Sequence, residues 1–153
     1  MRIIVAFLAL FFSVVISKLL LKKYILKTKY YVDFNNFNNK MINEINFEKR
    51  TLLNIVNKFD NSNDFSNRIS EYYKTNGNYS NLEYLTEEDN LIFSEYVEFL
   101  GKTDTNTQIK QLKIYQNILD EKVKVLKVEE KEKNELYLKM GVMIGLTLFI
   151  III

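Results

Sequence analysis

Two apolar segments at opposite ends of the chain constrain its fold more than any other feature. Ile3 to Ser17 is a run of fifteen uncharged, mostly apolar residues, and Leu19-Leu20-Leu21 extends it past Lys18. Counted to Leu21, the segment spans about 28 Å as a helix, close to the hydrocarbon thickness of a bilayer. Lys18 sits one turn from its end and can snorkel to the headgroups. Val15-Ile16-Ser17 is a poor small-x-small cleavage site, so an uncleaved anchor at residues 3–21 is expected rather than a signal peptide. Met140 to Ile153 is apolar throughout. With Leu136, Tyr137 and Leu138, and Lys139 snorkelling, it reaches about 27 Å. Phe149 to Ile153 is apolar on every face, which a small core could not bury, so residues 136–153 are expected as a second transmembrane helix.

Charge sets the expected topology. Lys18, Lys22, Lys23, Lys27 and Lys29 follow the first segment without one acid among them. Such an excess marks the cytoplasmic side, placing the middle of the chain in the cytoplasm and both termini outside the inner membrane. The same lysines are expected at the membrane surface, where anionic headgroups attract them by ~1 kcal/mol each. Of the 21 basic residues only Arg2 and Lys18 fall outside residues 22–139, so that stretch balances 19 acidic residues with as many basic ones. A neutral body argues against nucleic acid as a partner.

Residues 30–135 follow helical periodicity. Phe34, Phe37, Met41, Ile42 and Ile45 make one stripe, with Asn and Lys between them; Leu52, Ile55, Val56 and Phe59 make a second. Phe65, Ile69, Tyr72 and Tyr73 make a third, closed by Gly77 as a natural C-cap. Ser80 and Glu83 have capping-box spacing for a short turn. Thr86 followed by Glu87, Glu88 and Asp89 is a strong helix start, a hydroxyl cap with three acids at the positive end of the dipole. That helix carries Ile92, Phe93, Tyr96, Val97 and Leu100 and stops at Gly101. Thr105 with Gln108 has capping-box spacing for the next, which carries Ile109, Leu112, Tyr115, Leu119, Val123 and Leu126. No stop signal follows. Residues 129–135 read as a solvated helical neck laced with pairs such as Glu129–Lys133. No proline interrupts any of this. The expected class is all-α: a small cytoplasmic helical bundle between two transmembrane helices, its last helix continuous into the C-terminal span.

Chemistry is restricted by what is missing. The chain has no cysteine and no histidine, which removes thiol chemistry, thiolate zinc sites and the usual general acid/base. Glu87, Glu88 and Asp89 could be offered as a metal or acid/base cluster, but dipole complementarity accounts for them. No enzyme activity, metal or cofactor is expected. Gly141 and Gly145 form a G-x-x-x-G motif in an apolar segment, a surface that lets another helix approach closely.

Leu100-Gly101-Lys102-Thr103-Asp104 with Gln108, the Leu112/Leu119 stripe, and Lys133-Asn134-Glu135-Leu136-Tyr137 leading into Met140 to Leu146 carry a family likeness. Over residues 91–153 most specifically, the chain resembles the stage III sporulation protein AB family of endospore-forming bacteria. That family's cytoplasmic domain is similar to the F-type platform proteins of type II secretion and type IV pilus machines. The resemblance implies a non-enzymatic membrane platform subunit of the sporulation channel between mother cell and forespore. Its implied partners are a secretion-type ATPase, other membrane subunits of the channel and the lipid bilayer. Gly101, Lys102, Thr103, Asp104 and Gln108 are the matching loop and the first candidate for a partner surface. A different reading of the residues is a double-anchored coiled-coil tether or sensor, paired through residues 109–128.

Overall fold

The computed structural model describes residues 2–47 and 63–152. Every regular element among them is an α-helix: α1 (Arg2–Phe47), α2 (Asp64–Lys74), α3 (Glu87–Phe99) and α4 (Thr105–Ile152). The chain is all-α, as its periodicity requires. The stripe from Leu52 to Phe59 lies outside the described residues. α1 passes through residues 22–29 without interruption, so the first apolar segment and the Phe34–Ile45 stripe share one helix. Lysine is a good helix former and no glycine or proline intervenes, so the change from apolar to charged leaves the backbone unchanged.

Two compact units result, one from residues 1–28 and 125–153, the other from residues 29–124. In the first, α1 and α4 pack antiparallel. Phe7 meets Phe149 edge to face at 5.2 Å, and Tyr24 meets Tyr137 at 6.2 Å. The Thr28 hydroxyl reaches the Leu126 carbonyl at 3.4 Å. Small side chains occupy the contact: Ala6 and Ser17 are buried, while Ile3, Phe11, Leu19, Met143 and Ile150 are each at least 60% exposed. Both helices are long and apolar enough to cross a membrane. A core helix of a water-soluble domain would hide such residues; these turn outward, as lipid-facing ones do.

The second unit packs aromatic rings in its interior. Phe34 of α1 stacks on Phe65 of α2 at 4.4 Å and meets Tyr96 of α3 edge to face at 4.7 Å. Phe93 closes on Phe65, and Tyr115 of α4 stacks on Phe99. Tyr30, Tyr31, Phe37, Met41, Ile69 and Leu112, each at most 2% exposed, complete the core. Each such side chain stabilises the fold by ~1.5–3 kcal/mol relative to exposure.

The helix ends follow local chemistry, with two shifts from expectation here. α2 starts at Asn63, whose side chain accepts the Ser66 N–H at 2.8 Å. It ends one residue early: Asn76 takes the first left-handed position (φ 55°), and Gly77, also at positive φ (108°), returns its N–H to the Tyr72 carbonyl at 2.9 Å. Asparagine tolerates that conformation almost as well as glycine. Ser80 caps no turn of its own. Its N–H and hydroxyl both bond the Glu71 carboxylate, at 2.9 and 2.8 Å, and these bonds hold that carboxyl below its usual range. α3 begins with a complete capping box of Thr86 and Asp89.

Candidate functional site

The loop between α3 and α4 is a tight αα-hairpin. Gly101 adopts φ +78°, which a side chain would resist, and Lys102 returns its N–H to the Phe99 carbonyl at 3.2 Å. Asp104, not Thr105, caps α4, accepting the N–H groups of Asn106 and Thr107 at 3.1 Å each. Both residue types cap well, and the helix takes the carboxylate one position earlier. Bonds from Thr107, then Asn106, hold the Asp104 carboxyl below its ordinary range. Gln108 donates its N–H to the Asp104 carbonyl and is buried, so it serves the interior rather than a box. Lys102 and Asp104 are exposed, and Thr103 is half-buried. The outer face of α3 leads to this turn through Leu91, Glu95 and Glu98, all exposed, with Leu91 at 57%.

The same unit holds a buried polar network, of which the sequence marks only Asp89, as one of three acids at a helix start. Asp89 is 1% exposed. Its carboxylate bonds the Thr86 N–H at 2.8 Å, accepts the Tyr31 hydroxyl at 2.7 Å and lies 3.7 Å from the Lys122 ammonium. Lys122 also meets Glu88 at 3.5 Å. One first-turn acid thereby joins α1, α3 and α4. Burial, and then the bond to Asp89, push the Tyr31 hydroxyl far above its ordinary range. Arg68 is 2% exposed, with its guanidinium 4.3 Å from the Phe93 ring centroid and 4.4 Å from that of Tyr79. It donates to the Tyr30 hydroxyl at 3.0 Å and to Asn90 at 2.5 Å. Burial pushes Tyr30 up to about 12 against the opposing pull of Arg68.

The asparagines of α1 form a third set. Asn35 donates to Asp120 at 2.7 Å, Asn38 to the Leu112 carbonyl at 3.0 Å, and Asn39 accepts from Gln116 at 2.8 Å. Asn38 also accepts the Tyr96 hydroxyl at 3.1 Å. Residues that look like compositional filler instead fix the register of α1 against α4.

Within the two-helix unit, Gly141 lies against Ser17 and Gly145 against Ser13 and Leu10. A Cβ on Gly141 would stand 3.0 Å from the Ser17 Cβ, and one on Gly145 would stand 2.5 Å from the Ser13 hydroxyl. The Ser13 hydroxyl donates to the Gly141 carbonyl at 2.9 Å, which only close backbones permit. The glycine pair thus faces the chain's own α1. Lys18, Lys22 and Lys23 are exposed, Lys27 is half-buried, and Lys29 is exposed in the second unit. Lys133 does not reach for Glu129; its ammonium lies 5.8 Å from the centre of the Tyr24 ring, because that face of α4 meets α1.

These features define a class: a membrane protein with two candidate spanning helices and an all-helical unit inserted between them in sequence. The family model for stage III sporulation protein AB matches residues 2–153, nearly the full chain. The chain belongs to that family, which gives it a role in sporulation. Neither the curated proteins nor the solved structures contain a match to it.

Proposed function

We propose that this chain is a non-enzymatic platform subunit of the sporulation channel complex, with residues 29–124 in the cytoplasm and both termini outside. Its cytoplasmic unit engages a secretion-type ATPase, and its two spans meet other membrane subunits. The observation that carries the reading is the family membership, together with α1 and α4 each supplying residues to both units. The absence of histidine and cysteine supports a structural role over a nucleophilic or thiolate-based one. The favoured docking surface is the outer face of α3 and its turn, where Leu91, Glu95, Glu98 and Lys102 are all exposed.

A pull-down of the full chain with the ATPase tests this. Leu91→Asp and Lys102→Glu should each weaken capture at least tenfold while leaving helicity intact. Equal capture by all forms moves the contact elsewhere, and no capture by the wild type ends the platform reading. Topology is tested separately. The chain has no native cysteine, so Asn78→Cys and Lys113→Cys should react with an impermeant thiol reagent only after the membrane is breached.

One observation favours the tether reading instead. Ile114, Ile118, Val125 and Val128 fall at heptad spacing on one outward face of α4 and are 44–63% exposed. Sedimentation of the full chain in detergent distinguishes the two: a dimer abolished by Ile118→Glu, without any ATPase, selects the tether.

A further inference from the structure

The helix pair of the two-helix unit closes unevenly. A groove of about 340 Å³ runs along one side, walled by Phe12, Ile16 and Leu20 of α1 and by Tyr137, Met140 and Ile144 of α4. Its lining is almost wholly apolar. Followed one turn further at helical spacing, each wall reaches a cation. On α1, Ile16 and Leu20 lead to Lys23 and Tyr24; on α4, Met140 and Tyr137 lead back to Lys133. Each ammonium group lies near the same ring, 5.0 Å and 5.8 Å from the Tyr24 centroid. Tyr24 in turn packs on Tyr137, which is itself part of the wall. No carboxylate of the described residues pairs with either lysine.

An apolar slot therefore ends in a mouth of two tyrosines and two cations without an ion-pair partner among the described residues, contributed by both helices. In a bilayer the slot cannot hold water, because its walls offer almost nothing to hydrogen-bond. Tyrosine favours the headgroup level, and lysine carries its charge there. We propose that this groove seats one anionic glycerophospholipid, with an acyl chain in the slot and the phosphate between Lys23 and Lys133. The site does not depend on the platform function. A helix from another protein would fill the slot without using the charges, and a zwitterionic lipid would gain little from them.

Native mass spectrometry of the full chain in mild detergent reads the occupancy. Phosphatidylglycerol, phosphatidylcholine with the same acyl chains, and inorganic phosphate serve as probes. The wild type should retain phosphatidylglycerol roughly tenfold over phosphatidylcholine, as two lysines at the membrane surface imply. Lys23→Gln with Lys133→Gln should erase the preference, and Lys23→Arg with Lys133→Arg should keep it. Ile16→Trp, which fills the slot, should displace both lipids. Lys18→Gln with Lys22→Gln removes as much charge from positions off the wall and should change nothing. Equal retention of the two lipids by the wild type overturns the proposal. So does an equal loss in the Lys18/Lys22 pair, which would mean a diffuse basic surface. Competition by inorganic phosphate with Ile16→Trp still binding phosphatidylglycerol would make it a free-anion site and also overturn it.

Discussion

The two units of this chain use the same two helices under opposite rules. Residues 29–124 bury their largest side chains, stacking Phe34, Phe65 and Tyr96 and holding buried Arg68 and Asp89 by hydrogen bonds. Residues 1–28 and 125–153 place small residues, Gly141, Gly145, Ser13 and Ser17, at the close contact and turn most of their large apolar groups outward, Leu21 and Leu126 excepted. Water rewards hiding apolar area, so a ring is worth most when enclosed. Lipid offers no such reward between helices, so close backbone approach and a Ser–Gly hydrogen bond take over. A single helix obeys both rules along its length, which shows that local propensity decides only that it is a helix.

The sharpest way to break the contrast is to truncate a ring. Phe34→Ala should destabilise the aromatic unit by ~3–5 kcal/mol, read by denaturant unfolding of the full chain followed by near-ultraviolet dichroism. The same change at Phe11, which is 63% exposed, should shift that transition hardly at all. Enlargement should be harmful only in the other unit. Gly141→Leu with Gly145→Leu should push α1 and α4 apart and lower disulfide formation between Phe7→Cys and Phe149→Cys several-fold, while the aromatic unit unfolds as before.

Alkali should sharpen the contrast next. Tyr30 keeps its proton to about 12 when folded, whereas an unfolded tyrosine loses it near 10. The native state then holds more protons than the unfolded state, so stability falls as pH rises above about 10, by up to ~1.4 kcal/mol per pH unit for each such group. Tyr73 is likewise raised by burial, and its hydroxyl makes only a 3.4 Å bond to the Val97 carbonyl. Tyr73→Phe should flatten the alkaline slope with little change at pH 7. The smallest effect is local: Thr86→Ala should cost ~1 kcal/mol through loss of the capping box.

How much of this was legible depended on how local the cause was. The Thr86 cap, the Gly101 stop and the unbroken α4 follow from neighbours in sequence, and they stand as read. The shifts to Asn76 and Asp104 are one-residue choices between two competent residues, which only the wider packing decides. Arg68 was invisible for another reason. Among Asn67, Ser66 and Ser70 it reads as surface, and it is buried only because Tyr79, Phe93 and Tyr30 arrive from three other segments. In the sequence Asp89 is one acid of three, and nothing near it marks it as the one that Tyr31 and Lys122 reach. The likeness of residues 91–153 supplied what periodicity could not, the family itself.

The Thr28–Leu126 contact joins residues 98 positions apart and closes the chain on either side of the aromatic unit. If the helix pair forms in the bilayer independently, the intervening segment unfolds as a tethered loop with both ends held, never as a free coil. In the chain-entropy picture, closing a loop of that size with a covalent cross-link is worth about 4.7 kcal/mol against the denatured ensemble. The anchor then works as a staple made without sulfur, in a chain that has no cysteine with which to make one.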